Sequence, residues 1–366
     1  MGAPGCIDPA RFVVEGDVMR RMVIVAALLV VACGGSESAK NASTPAQPAS
    51  KVINGAGATF PYPIYSKWFD EYGKLHPDVR INYQSIGSGG GIKQLSAQTV
   101  SFGATDAPMT DEQLKAGPGP ILHFPTVLGG VVPIYNLPGV TQPIRFTGAA
   151  LAGVYLGKIT KWNDPALAKV NPGVKLPNTE IAVVHRSEGS GTTYIFVDFL
   201  SKVSPEFKQK VGVAASVSWP VGVGAKGNEG VSGLVNQSPG AIGYAELIYA
   251  SKNNISYGPV QNKAGEFVTA SLDAVTAAAA AAAASMPDDF RVSITNPEGK
   301  GAYPIASFTW ILLYQNPPDK QIARTLVDFM KWALTDGQKF AAPLGYAPLP
   351  QPVVQKELLA LQKIQL

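Results

Sequence analysis

Two spacings of apolar positions alternate along the chain. Short β-branched runs such as Ile181-Ala182-Val183-Val184 read as buried strands. Segments such as 193–203 follow, with Phe196, Phe199, Leu200 and Val203 at helical spacing. The same succession opens the body: Val52-Ile53 start a strand, then Tyr65, Trp68, Phe69 and Tyr72 recur at helical spacing. Residues 80–84 alternate as a strand and lead to a short helix over 92–98. A short apolar strand then ends on Asp106. A long apolar strand is predicted over 124–135, crossing from one lobe to another, with its return over 303–313. Residues 239–244 read as a strand after a turn. The alanine run 277–284 predicts a surface helix. Two amphipathic helices, 320–335 and about 353–361, close the chain. Strands alternating with helices throughout give an α/β class.

Chemistry concentrates at the strand-to-helix turns. In Arg186-Ser187-Glu188-Gly189-Ser190-Gly191-Thr192 two glycines permit close backbone approach, and Ser190 stands at an N-cap. A helix N-terminus favours an anion, and Arg186 adds a planar fork of donors. The turn reads as an oxyanion seat. Thr59-Phe60, before Pro61 and Pro63, form a second such turn, although Thr59 could equally cap its own helix. Gly87-Ser88-Gly89-Gly90-Gly91 form a third, with Ser88 facing the mouth. It is no Walker A loop, because Lys93 is followed by Gln94, and no third glycine completes a dinucleotide pattern. Asp106 taken alone serves equally as a cap for the helix starting near Thr110.

Composition narrows the chemistry further. The 366 residues are 46% hydrophobic and 15% charged, enough for two α/β lobes. A formal net charge of +4, without basic runs interleaved with aromatics, argues against nucleic acid. The only cysteines are Cys6 and Cys33, so the body holds no disulfide framework, thiolate metal site or cysteine nucleophile. His76, His123 and His185 lack metal or triad spacing. Glu188-Gly189-Ser190-Gly191-Thr192 is not Gly-x-Ser-x-Gly, and no carboxylate pair suggests acid–base work. Catalysis is therefore not expected.

The N-terminus carries an export pattern. Arg20 and Arg21 precede an apolar run, 22–32, that ends at Cys33, so residues 1–32 read as a signal peptide. Val30-Val31-Ala32-Cys33 resembles a bacterial lipobox, in which Cys33 is lipidated; the alternative is ordinary cleavage near Ala32. Met19 directly precedes the arginines and reads as the true start, which makes 1–18 an extension. Residues 33–50 form a flexible tether of small and polar residues. An exported, lipid-anchored protein of the cell envelope is expected.

Several blocks together resemble one family: Gly-Ala-Gly-Ala-Thr-Phe-Pro (55–61), Gly-Ser-Gly-Gly-Gly (87–91), Phe-Gly-Ala-Thr-Asp-Ala-Pro (102–108) and Gly-Ser-Gly-Thr (189–192). Leu-Gly-Lys-Ile, Lys-Trp-Asn-Asp and Pro-Gly-Ala-Ile-Gly-Tyr add to them, over about 53–348. The chain is similar to the PstS family, the phosphate-binding proteins of high-affinity phosphate ABC transporters. The resemblance implies a type II, two-lobed periplasmic-binding-protein fold built from discontinuous α/β domains. Residues 51–134 and 305–366 would form one lobe and 135–304 the other, hinged near Ile134 and Ile305. It implies phosphate held by Thr59, Phe60, Ser88 and Asp106 from one wall and by Arg186, Ser190, Gly191 and Thr192 from the other. Glu188, where Asp is common, would orient Arg186. The implied partners are inorganic phosphate, the permease and ATPase subunits, and the membrane through the lipid anchor; no cofactor is implied. An ionised Asp106 accepts only, so it favours an anion that still carries a proton over sulfate or molybdate, and such mismatches reach about 10⁴ to 10⁵. Another oxyanion is the alternative ligand, and a phosphatase or hydrolase the more distant one.

Overall fold

The computed structural model describes residues 51–284 and 286–366. The expected signal peptide, Cys33 and the tether lie outside them. β1 (Lys51–Gly57) carries Ile53 into the core, and α1 (Tyr62–Leu75) follows with prolines in its first turn. Ile64, Tyr65, Trp68 and Tyr72 form the buried stripe of α1. β2 (Val79–Ser85) runs parallel to β1; α2 (Ser88–Ser96) then crosses back to β3 (Phe102–Thr105), parallel to β1 on its other side. Parallel neighbours need such crossovers. α3 (Asp111–Lys115) opens with a capping box between Thr110 and Gln113. β4 (Ile121–Tyr135) is 15 residues long and buried almost throughout.

The chain then builds a second layered unit. α4 (Gly148–Tyr155) and α5 (Pro165–Ala168) precede β5 (Ala182–Arg186). α6 (Gly191–Val203), α7 (Pro205–Lys210), β6 (Val223–Ala225) and α8 (Gly227–Gln237) lead to β7 (Ala241–Glu246) and α9 (Leu247–Lys252). The short β8 (Ser256–Tyr257) pairs with β4, while β9 (Val260–Gln261) and β10 (Phe267–Val268) pair with each other. α10 (Leu272–Ala284), β11 (Ala306–Tyr314), α11 (Lys320–Leu334) and α12 (Gln351–Ala360) complete the chain.

β4 joins the two halves. The main sheet runs β2-β1-β3-β11-β4-β7-β5-β6. Residues 121–130 of β4 pair antiparallel with β11, and residues 131–135 pair antiparallel with β7. One continuous strand therefore belongs to both lobes. One continuous hydrophobic core runs through both halves: Tyr65, Trp68, Phe102, Trp162, Phe196 and Tyr244 all belong to it and are buried. Fully burying one such side chain contributes about 1.5–3 kcal/mol.

The structure departs from the sequence reading at three places. α2 starts at Ser88 rather than near Ile92, despite three glycines in its first turn. A Cβ at Gly91 would stand 2.5 Å from Gly57 Cα, so glycine lets the helix seat against β1, and packing overrides weak helix propensity. The alanine helix is not a surface helix: Ala274, Val275, Ala278 and Ala279 are buried, and α10 packs on β4, β11 and α12. Finally, Asp106 is not the cap of α3, because Thr110 holds that position, and the cap of α1 is Pro61 rather than Thr59.

Candidate functional site

The turn from β5 to α6 positions the cationic side of the site. Arg186 is the last residue of β5 and is buried. Its backbone N–H donates to Tyr244 Oη at 3.2 Å, and that hydroxyl lies 2.6 Å from Thr193 Oγ1. Tyr244 in turn stacks on Phe196 of α6 at 4.4 Å between ring centroids. The backbone of Arg186 is thus fixed by the packing of α6 on β7. The guanidinium Nε donates to Glu188 Oε1 at 2.9 Å, and Nη2 donates to the same oxygen. Gly227 N–H adds a third donor to that oxygen at 3.1 Å. Nη1 is buried with no hydrogen-bond partner among the described residues. Ser190 caps α6, its Oγ accepting from Thr193 N–H at 3.1 Å.

Three turns of the first lobe face this seat. Thr59 lies between β1 and α1, with its carbonyl accepting from Tyr249 Oη at 2.5 Å. Phe60 follows, its ring buried and its carbonyl accepting from Tyr346 Oη at 2.6 Å. Ser88 Oγ accepts Asp106 N–H at 3.1 Å and Gly191 N–H at 3.0 Å, so it touches both walls at once. The walls meet along a glycine seam. Gly89 N–H donates to Gly189 O at 2.9 Å, and a Cβ at Gly191 would stand 2.5 Å from Ser88 Oγ. Larger residues there would hold the walls apart.

Asp106, just beyond β3, is the acidic corner. Thr309 Oγ1 of β11 donates to its Oδ1 at 2.8 Å. Burial pushes the carboxyl up to about 7, against the opposing pull of the Thr309 bond, the Arg186 charge and Ser88. The acid therefore stands near its titration midpoint at neutral pH instead of being fully ionised. Glu246, which caps α9, is pushed well above the ordinary carboxylate range by burial.

Thr59, Phe60, Ser88, Asp106, Arg186, Glu188, Ser190, Gly191 and Thr192 thus all converge on one place. Asn228 links Thr59 to Thr192, Ser88 links Asp106 to Gly191, and Glu188 links Arg186 to α8. The histidines take other roles. His185 stacks on Trp219, and His123 accepts Met109 N–H at 3.0 Å, its burial pushing it down to about 3. Among the described residues no group of three or more His, Cys, Asp or Glu could hold a metal ion.

Sequence comparison agrees with this architecture. The family model described as a PBP superfamily domain matches residues 42–336. The chain is 48% identical to the phosphate-binding protein PstS of Xylella fastidiosa (strain Temecula1 / ATCC 700964), over 88% of this chain and 89% of that protein. This chain belongs to the PstS family. The phosphate-binding protein PstS of Methanocaldococcus jannaschii is 35% identical over 96% of this chain and 98% of that protein. The solved phosphate-binding protein from Stenotrophomonas maltophilia superposes with a TM-score of 0.66 at 18% identity, over 85% of this chain and 94% of that one. Its likeness speaks to the fold, the two-lobed α/β arrangement of the family.

Several residues bonded to the candidate site escaped the sequence reading. Asn228, Thr309, Tyr244, Tyr249 and Tyr346 all bond directly to site residues. A positive φ at Gly227 was the one local cue for Asn228: glycine immediately before it lets the chain turn into α8. Thr309 sits in an apolar strand, where a lone hydroxyl gives no periodicity signal.

Proposed function

We propose that this chain captures inorganic phosphate between its two lobes and delivers it to the permease and ATPase subunits of an ABC importer. The observation that carries the reading is the buried Arg186 Nη1, a cationic donor with no partner among the described residues, whose Glu188 is tied to the same first turn of α8 that holds hydroxyls of both walls through Asn228. Such a group needs an acceptor, and an anion oxygen is the natural one. The Arg186 charge is already balanced by Glu188. Binding therefore rests on converging hydrogen bonds, each charge-assisted one contributing roughly 1.5–3 kcal/mol.

Thr59, Ser88, Ser190 and Thr192 supply hydroxyls, and the backbone at Phe60 and in the first turn of α6 supplies N–H groups, while Gly191, its N–H given to Ser88, lets the backbone come close. Asp106 receives the proton that phosphate still carries. In this reading residues 51–134 and 305–366 close on residues 135–304 about a hinge near Ile134 and Ile305; the division of β4 between β11 and β7 supports it. Ligand favours the closed state by touching both walls. Export and a lipid anchor at Cys33 hold the protein at the envelope near its permease. The reaction is binding and release, without turnover. Isothermal calorimetry of the purified chain is expected to show one phosphate bound per molecule; the absence of saturable phosphate binding overturns the reading.

A further inference from the structure

Asn228, the second residue of α8, is fully buried with its carboxamide between the two walls. Its Oδ1 accepts Glu246 N–H at 3.0 Å, which settles the end of the amide that carries the oxygen. Its Nδ2 donates to Thr59 Oγ1 at 2.7 Å and to Thr192 Oγ1 at 3.1 Å. Its backbone N–H donates to Thr59 Oγ1 as well, at 3.2 Å. A hydroxyl has one hydrogen to give and two lone pairs to receive. Both lone pairs of Thr59 are thus occupied by N–H groups, and one of those on Thr192. The hydroxyl hydrogens are left to point away from Asn228.

We propose that Asn228 is a specificity-determining positioning residue that fixes Thr59 and Thr192, one from each wall, as hydrogen-bond donors to the bound oxyanion. This rests on the phosphate reading above. Free hydroxyls rotate and present a donor or a lone pair with equal ease. In a cleft whose cation is already balanced by Glu188, a lone pair turned toward an anion leaves both groups unpaired at close range. The Glu246 N–H on one end of the amide and two hydroxyl oxygens on the other exclude the flipped orientation. The preceding Gly227 donates to Glu188. The first turn of α8 therefore orients the partner of Arg186 and the two threonines together.

The test measures phosphate binding by calorimetry at pH 8 in two backgrounds. In the wild type, Asn228→Ala is expected to weaken phosphate about tenfold, because the hydroxyls lose their imposed sense. In a Thr59→Val, Thr192→Val background the same change is expected to cost less than about twofold, since Asn228 then has no hydroxyl to act through. Equal losses in the two backgrounds reduce Asn228 to a space-filler and overturn the proposal. Asn228→Asp, which accepts where Asn donates, is expected to be about tenfold worse again than Asn228→Ala; parity between them likewise overturns it. Should Asn228→Ala lose its cooperative melting transition, Asn228→Ser carries the same two-background comparison. A wild-type chain that binds no phosphate removes the phosphate reading and this proposal with it. Wild-type binding with equal losses removes this proposal alone.

Discussion

Arg186 and Asp106 are the two charged corners of one cleft, buried to a similar degree, and they are treated in opposite ways. The guanidinium is matched within the same turn, two of its nitrogens resting on a Glu188 oxygen that also receives Gly227 N–H. Asp106 has no cation in direct contact among the described residues. It receives the Thr309 hydroxyl and feels Arg186 at longer range, and burial outweighs both to push it up to about 7. A compensated charge stays charged in a dry site, whereas an uncompensated one takes up a proton. In the proposed reading the first corner attracts the anion, and the second responds to whether the ligand brings a proton of its own.

Removing the compensated charge should do the most damage. Arg186→Met leaves the half-buried Glu188 without its cation and deletes the free donor nitrogen. Each charge-assisted hydrogen bond lost to the anion costs roughly 1.5–3 kcal/mol, and the unpaired Glu188 charge adds repulsion, so phosphate affinity is expected to fall about 10³-fold by calorimetry. A loss below tenfold would mean that the two corners are not distinct in kind.

Changing the uncompensated corner should act on stability and selectivity together. The folded pKa of Asp106 lies above its ordinary value of 3.8, so the folded, ligand-free chain binds that proton more tightly than the unfolded chain. Its favourable contribution is complete below about pH 4 and is lost as pH rises towards 7. Asp106→Asn abolishes this loss. The ligand-free variant is expected to melt higher than wild type at pH 8, by a few kcal/mol of stability, with the gap narrowing at pH 5. Its phosphate binding should weaken and its exclusion of sulfate relax. A melting difference independent of pH would show that Asp106 does not titrate as described.

The sequence made the strand-to-helix turns visible because each pairs an apolar run with glycines and a hydroxyl: Thr59, Ser88 and Ser190 all announce themselves locally. Arg186 and Glu188 are legible for the same reason, lying two residues apart in one turn. What stayed hidden depends on distant pairings. Thr309 meets Asp106 because β11 lies beside β3, and Asn228 meets Thr59 across 169 positions of chain. No local pattern encodes either contact. The titration of Asp106 was hidden too. Its residue type suggests an ionised acceptor that rejects sulfate by a fixed factor, whereas a carboxyl pushed up to about 7 by burial is expected to make such rejection grow with pH.

The most direct test is the pH dependence of two dissociation constants, for phosphate and for sulfate, between pH 7 and 9. Sulfate has no proton to offer and needs Asp106 protonated, so its affinity is expected to fall about tenfold per pH unit above 7. Phosphate retains a P–OH across that range, so its affinity should stay nearly flat. In Asp106→Asn the sulfate slope should vanish. Parallel slopes for the two anions in the wild type would contradict the account.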